Sequence, residues 1–451
     1  MNTPDLRDYL SFAEGKGKSA WLSIDKPISA RWETTAVVEG MARKLRSPVI
    51  RFNQVDDCDY SMVTNICASL DRVAKSVGLS VDELNQRFVT AHQAGLNAET
   101  VDAEAAPVCA NQHARGAFSL FDFPHLIYTE TQSAPYITSA IVIGRDPDSG
   151  AHNFSFHRLM MIDDHRAAIY MTPGGHLDQI WRKYSTTGQP APIAAAIGTH
   201  PLWCYAALIA GALEDEDYTT TSGVLGASLP VVASSVDPEL LVPAQAELVL
   251  EGFIEPEATA PEGPFGEFLG YVADVADRPI VRFETLRHRN EPIYQDIVAG
   301  QVEHLTMSSI SLRARLQRDY FEAHPEVLEF WLPAPMTIFF KVDSEHHPDF
   351  DALALMQSLL QNEAYLKQAY CFDADIDLRK QASVQSAIAC FAQPAADITV
   401  FDNLGGNGVD PSESDGRTSK LMIDARAKAS VTRSTLPTEF VDAFDLNAFI
   451  R

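Results

Sequence analysis

The chain is short of positive charge. It carries 35 Lys and Arg against 61 Asp and Glu, a formal net charge of −26 at pH 7. So acidic a surface repels nucleic-acid phosphates and anionic lipid headgroups, which excludes both as partners. A small anionic substrate is not excluded, because a local basic pocket can sit in an acidic protein. Cysteine is sparse too. Cys58, Cys67, Cys109, Cys204, Cys371 and Cys390 are scattered, with no CxxC pair and no ligand-spaced cluster. That argues against a zinc site and a disulfide framework, and for the reduced thiols of a cytoplasmic protein. Long apolar runs are missing. The longest uncharged stretch, Tyr184 to Leu213, has two prolines near its start and His200-Pro201 at its middle. It reads as a buried strand, a turn and a buried helix from about Leu202, not a membrane span. The opening "MNTPDLRDYLSFAEG" has early acids and no apolar core, so no secretory signal is expected. No internal repeat is visible.

What is present is globular: 451 residues, 46% hydrophobic and 21% charged, enough for two or three domains. Residues 1–110 read as a mixed α/β segment. "DLRDYLSFAEG" and "TTAVVEGMARKL" are helices, and "SPVIRFNQV" alternates like a strand. Two more helices part at "GLS", where Ser80 is an N-cap with Glu83 three residues on. Residues 111–310 turn to short β-rich runs such as "HNFSFHRLMMID", "PIAAAIG" and "AELVLEGFI", interrupted by helices near 176–183 and 202–213. Many antiparallel-looking strands suggest a barrel or curled sheet. In residues 311–451 helix and strand alternate, an α/β domain. Its "DNLGGNGVDPSESDGRTSK" segment reads as a glycine-rich loop carrying Lys420. The fold class is α/β (α+β).

"APEGPFGEFLGY" sets Glu262 and Glu267 around Gly-Pro-Phe-Gly. A regular strand would put them on opposite faces. The glycines and proline permit a turn that gathers both carboxylates, or leaves a solvated surface turn. "NFSFHR" places Asn153, His157 and Arg158 among apolar neighbours. A buried arginine needs an anionic partner, and a guanidinium suits a carboxylate. Parity separates Asn153 from Arg158, so a bulge is expected if they share a site. "PGGHLDQIW" starts a helix at His176, a position suited to phosphate or metal. "LEDEDY" supplies Glu214, Asp215, Glu216 and Asp217, either a solvated loop or one carboxylate for a divalent ion beside Asn153 and His176. Lys420 suits a phosphate, and His304 a pocket wall. His200 and Trp203 suit either a pocket for a flat aromatic acid or core packing.

Taken together, "EGPFGEFLGY", "NFSFHRLM", "VTNICASLDRVAKSVGL" and "DADIDLRKQASVQSAIA" resemble, in order, the UbiD-type prenylated-FMN-dependent decarboxylases over nearly the whole chain. The resemblance implies a split β-barrel cofactor domain (111–310), an N-terminal α/β segment (1–110) and a C-terminal α/β oligomerisation domain (311–451). Arg158, Glu262 and Glu267 match the family's Glu-Arg-Glu network, with Glu267 as proton donor. Asn153 and His176 match metal ligands. The third falls by ungapped count on Asp217 where the family has glutamate, with Glu216 one residue away; Asp217 is favoured. Phe156, His157 and Arg158 would join Asn153, His176 and Lys420 around the cofactor, with Lys420 on its phosphate. The cofactors implied are prenylated FMN, Mn²⁺ or Mg²⁺, and K⁺. The partners implied are a flavin prenyltransferase as supplier and a second copy of the chain, as a homodimer or a higher assembly of dimers. The C-terminal tail is shorter than in many members. The reaction implied is reversible decarboxylation of an aromatic, heteroaromatic or α,β-unsaturated acid. The alternatives are a non-catalytic subunit of a carboxylase complex, which would more readily have lost one of the three residues, and a plain-FMN oxidoreductase, which would not need Glu267.

Overall fold

The computed structural model describes residues 3–427 apart from Asp57, Ala210, Phe268, Gly408 and Val409, together with the side chain of Ser311. The C-terminal tail on which the oligomer expectation bore lies outside the described residues. The described residues form two compact units that divide after Asp319.

The first unit is organised by a nine-stranded sheet in which every pairing is antiparallel. Its spine is the pair Leu248–Glu262 and Ala276–His288, followed by Ala191–Ile197, Ile141–Arg145 and His152–Phe156. Alternate side chains of a strand point to opposite faces, and here both faces are covered. Every residue of Ala191–Ile197 is buried. Ala194 and Ala196 enter one core with Ile141, Ile143 and Val249, while Ile193, Ala195 and Ile197 enter a second with Val142, Leu248 and Leu250. The continuous apolar run of "PIAAAI" is the signature of a strand buried on both sides. The long pair bends at Gly252, where the register shifts. A Cβ at Gly252 would stand 2.1 Å from the Arg282 carbonyl oxygen, so only glycine permits this approach.

A four-stranded sheet, Trp21–Ile24, Val49–Phe52, Ser61–Thr64 and Ile293–Gln295, takes three strands from the N-terminal region and the fourth from beyond the long pair. Helix Val81–Thr90 starts on the expected capping box of Ser80 and Glu83. The expected helix near 202–213 is shorter, Pro201–Ala206, and a helix Asp217–Leu225 follows that the threonine-rich sequence does not advertise.

The second unit is a five-stranded sheet in the order Val327–Ala334, Thr337–Val342, Gln368–Asp373, Arg417–Asp424, Ile398–Gly405, with helices Ala352–Asn362 and Gln381–Phe391. Ile398–Gly405 and Arg417–Asp424 claim both ends of the stretch expected to be a loop. Lys420 is therefore a strand residue: its side chain is buried and its amine donates to the Glu363 carbonyl at 2.8 Å. Its non-polar strand neighbours, Leu421 and Met422, carry the pattern that the glycines and serines before them obscure.

Candidate active site

Strand Leu248–Glu262 ends at Glu262, and a cis Gly263-Pro264 bond leads into the short strand Phe265–Gly266. The turn brings both glutamates to one guanidinium. Arg158 Nε and Nη2 donate to the two oxygens of Glu262 at 2.7 and 2.9 Å, and Nη1 donates to Glu267. Such a two-pronged pair fixes both planes. Glu262 is fully buried and also accepts from the Tyr136 hydroxyl at 2.9 Å. Burial, with Glu262 beside it, drives that phenol above its ordinary range, which keeps it a donor. Glu267 is 24% exposed and Arg158 9%. Desolvation acts to lower the Arg158 pKa, but the two carboxylates outweigh it and the net shift is upward. The guanidinium lies over the rings of Tyr170 and Phe265, 4.5 and 4.7 Å from their centroids. Contact with two aromatic faces holds the cation in register.

Arg158 reaches this point because strand His152–Phe156 stops short of it and a new strand starts at Leu159. The strand breaks here instead of bulging, and Asn153 and Arg158 bond to different partners. In the break, the buried His157 has Nδ1 2.9 Å from the Tyr170 carbonyl and Nε2 2.8 Å from the Ser155 hydroxyl. Burial pushes its pKa down to about 4. His157 is a neutral peg that holds the break, and Phe156 beside it packs on the first core.

The second group forms at the other end of the same strand. The Asn153 amide nitrogen donates to His176 Nδ1 at 3.1 Å and to Asp217 Oδ2 at 3.2 Å. Asp217 Oδ2 also accepts the Phe154 amide at 2.7 Å. Burial pushes the Asp217 carboxyl up to about 7. His176 opens the ten-residue helix to Ser185 and Asp217 the nine-residue helix to Leu225, so two helix N-termini meet here. Glu216 faces elsewhere. It caps the second helix through the Tyr218 amide and bonds the backbone and ring of His152. Among the described residues no cluster of three His, Cys, Asp or Glu side chains has metal-binding geometry; this group has two of those types and an amide.

Other candidates fall outside these groups. His200 is buried, accepts the Leu202 amide at its own helix start and packs edge-on to Tyr9. Trp203 stacks on Phe154 at 5.7 Å in the core behind Asn153. His304 is half-buried and accepts the Gly300 amide at 3.3 Å. Tyr136 and Tyr170 carry no local sequence signal, since they reach Glu262 and Arg158 only through the sheet. Phe265 lies inside the quoted motif, and its place between two glycines was the available hint.

Three models of the 3-octaprenyl-4-hydroxybenzoate carboxy-lyase, UbiD, match the chain in order: the N-terminal domain over residues 19–91, the Rift-related domain over 99–302 and the C-terminal domain over 305–425. The chain belongs to the UbiD family of carboxy-lyases. Its relatives are decarboxylases. An anhydromevalonate phosphate decarboxylase of Methanosarcina mazei is 26% identical, covering 96% of this chain and 99% of that one. A phenolic acid decarboxylase of Sedimentibacter hydroxybenzoicus is 25% identical, covering 98% and 95%. Among solved structures, the UbiD-class enzyme HmfF of Pelotomaculum thermopropionicum in complex with FMN superposes with a TM-score of 0.92 at 27% identity, over 99% of this chain and 100% of that one. An evolved dimeric form of HmfF with prFMN gives 0.87, again at 27% identity and with the same coverage. No described helix is long and apolar enough to cross a membrane.

Proposed function

We propose that this chain decarboxylates a small aromatic, heteroaromatic or α,β-unsaturated acid with prenylated FMN, through Arg158, Glu262 and Glu267. The observation that carries the reading is one guanidinium shared by two carboxylates of unequal exposure. An unactivated sp² carboxylate loses CO₂ poorly, because the electron pair it leaves has no acceptor. Bound prenylated FMN supplies that acceptor, and the protein supplies position and protons. Two carboxylates and one guanidinium leave a single negative charge when both acids are ionised, so the triad can take up one proton and be neutral. Glu262, held by three donors, is the fixed anion. Glu267, held by one and open to the outside, is the group that exchanges the proton. It protonates the carbon from which CO₂ departs, as a general acid. Tyr170 and Phe265 keep Arg158 from swinging as that proton moves.

Asn153, His176 and Asp217 are the residues that would hold a divalent ion. Their nitrogen and oxygen donors, without sulfur, suit Mn²⁺ or Mg²⁺. The two helix N-termini at the same point suit the flavin phosphate. K⁺ would share that phosphate, and a flavin prenyltransferase would deliver the cofactor. The homodimer, or an assembly of dimers, and the division into 1–110, 111–310 and 311–451 belong to the same reading. For Lys420, a phosphate role requires the amine to leave the Glu363 carbonyl.

The test is native mass spectrometry with an absorption spectrum, on protein co-produced with a flavin prenyltransferase. A bound mass equal to prenylated FMN plus one divalent ion, followed by CO₂ release from an unsaturated or aromatic acid, is expected. No flavin bound under anaerobic, manganese- and potassium-replete conditions would overturn the reading.

A further inference from the structure

Strand Asn111–Ala114 pairs with Ala276–His288 so that His113 faces Leu286 and Asn111 faces His288. His288 is two residues from Leu286, so His113 and His288 stand on the same face as a diagonal cross-strand pair. Their rings are parallel to within 8°, and their Nε2 atoms are 3.1 Å apart. His288 Nδ1 lies 2.8 Å from the Arg289 carbonyl. A carbonyl can only accept, so Nδ1 carries the proton and Nε2 keeps its lone pair, the tautomer a metal ligand needs. Two imidazole nitrogens on one tetrahedral ion, with bonds of about 2.0–2.1 Å, stand roughly 3.3 Å apart. The observed separation is close to that.

The pair lines a cavity of about 620 Å³ whose walls include Asp59, Asp122, Cys58 and Tyr60. Among the described residues, no Lys or Arg lines it. Two carboxylates and no fixed cation make it attractive to a positive ion.

We propose that His113 and His288 form a second metal site, for one borderline divalent ion such as Zn²⁺, Ni²⁺ or Cu²⁺. No third His, Cys, Asp or Glu among the described residues completes it, so water fills the remaining positions. An imidazole pair selects these ions, whereas the amide and carboxylate beside His176 suit harder ones.

The test is calorimetric titration of Zn²⁺ into the full-length chain kept in excess Mg²⁺, for the wild type, His113→Gln and His288→Gln. One equivalent whose affinity drops ~tenfold or more in each variant is expected. Zn²⁺ binding that both variants retain, or none in the wild type, would overturn the proposal; the two rings would then share only a proton. Should a variant fail to fold, pulsed electron paramagnetic resonance of one equivalent of Cu²⁺ on Mg²⁺-saturated His176→Ala protein counts the imidazole nitrogens. Two are expected, and one or none would overturn the site.

Discussion

Glu216 and Asp217 are neighbours at one helix start, yet they bind different residues of one strand. Glu216 takes the backbone and ring of His152, whereas Asp217 takes the Phe154 amide and the Asn153 side chain. The two acids look interchangeable in sequence, and the helix start separates them: the cap residue turns back on its own helix, and the next one points across to Asn153 and Phe154.

This difference makes a paired prediction. Asp217→Asn removes a charged donor from the proposed metal group and should lower Mn²⁺ content, measured by mass spectrometry of the purified protein, ~tenfold or more. Glu216→Gln keeps an oxygen for the Tyr218 amide and should keep the metal, with a stability loss of about 1 kcal/mol or less. The reverse pattern would reassign the ligand to Glu216.

The unequal setting of the two glutamates gives a second prediction. Glu267→Gln retains a partner for Arg158 but carries no exchangeable acid proton. It should bind flavin and metal as the wild type does, while turnover falls ~10²–10⁴-fold. Glu262→Gln should do more harm to folding, because it leaves a buried guanidinium short of its two-pronged anion, a defect of roughly 3–5 kcal/mol when a buried pair is broken. Thermal unfolding and single-turnover CO₂ release separate the two outcomes. Full turnover in Glu267→Gln would remove it from the chemistry.

How far the sequence reached depends on whether each contact is local. The Ser80–Glu83 cap, the "PIAAAIG" strand and the turn around Gly263-Pro264 are encoded within a few residues and were legible. The approach of Asn153, His176 and one acid of the 214–217 run was legible as one option from donor chemistry, and family resemblance narrowed it to Asp217, since three segments must be aligned in space. At His157-Arg158 parity called for a bulge if Asn153 and Arg158 shared a site; the strand breaks there, and the two residues bond to different partners. Tyr136 and Tyr170 were invisible, because a tyrosine in or beside an apolar strand looks the same whether it meets water, a buried glutamate or a guanidinium. Trp203 was left open between pocket and core, and its stacking on Phe154 decides for the core.

His200 supplies a pH prediction. Burial pushes its ring from the ordinary 6.5 down to about 3. The native state therefore refuses a proton that the unfolded chain accepts. Its contribution to stability is complete above pH 6.5 and is lost as pH falls toward 3, at a limiting slope of about 1.4 kcal/mol per pH unit. His200→Asn preserves an acceptor for the Leu202 amide and does not titrate. In urea unfolding at pH 7, 6 and 5, wild-type stability should fall relative to this variant by that slope once the pH is below 6. Parallel curves for the two proteins would mean that His200 is not the acid-sensitive group.

The helix that carries Asp217 is set by a glycine six residues later. A Cβ at Gly223 would stand 2.0 Å from the Ala91 carbonyl oxygen, which belongs to backbone and cannot rotate away. Gly223→Ala must therefore push the helix off the Val81–Gln93 region against which it packs. Alanine is the better helix former by about 1 kcal/mol, but overpacking costs roughly 1–3 kcal/mol, so the net change should be a loss of stability. The same displacement draws Asp217 away from Asn153, so Mn²⁺ content should fall together with the melting temperature. An alanine variant that melts at or above the wild-type temperature would show that the helix can shift freely, and that its close contact with Ala91 does not set the position of Asp217.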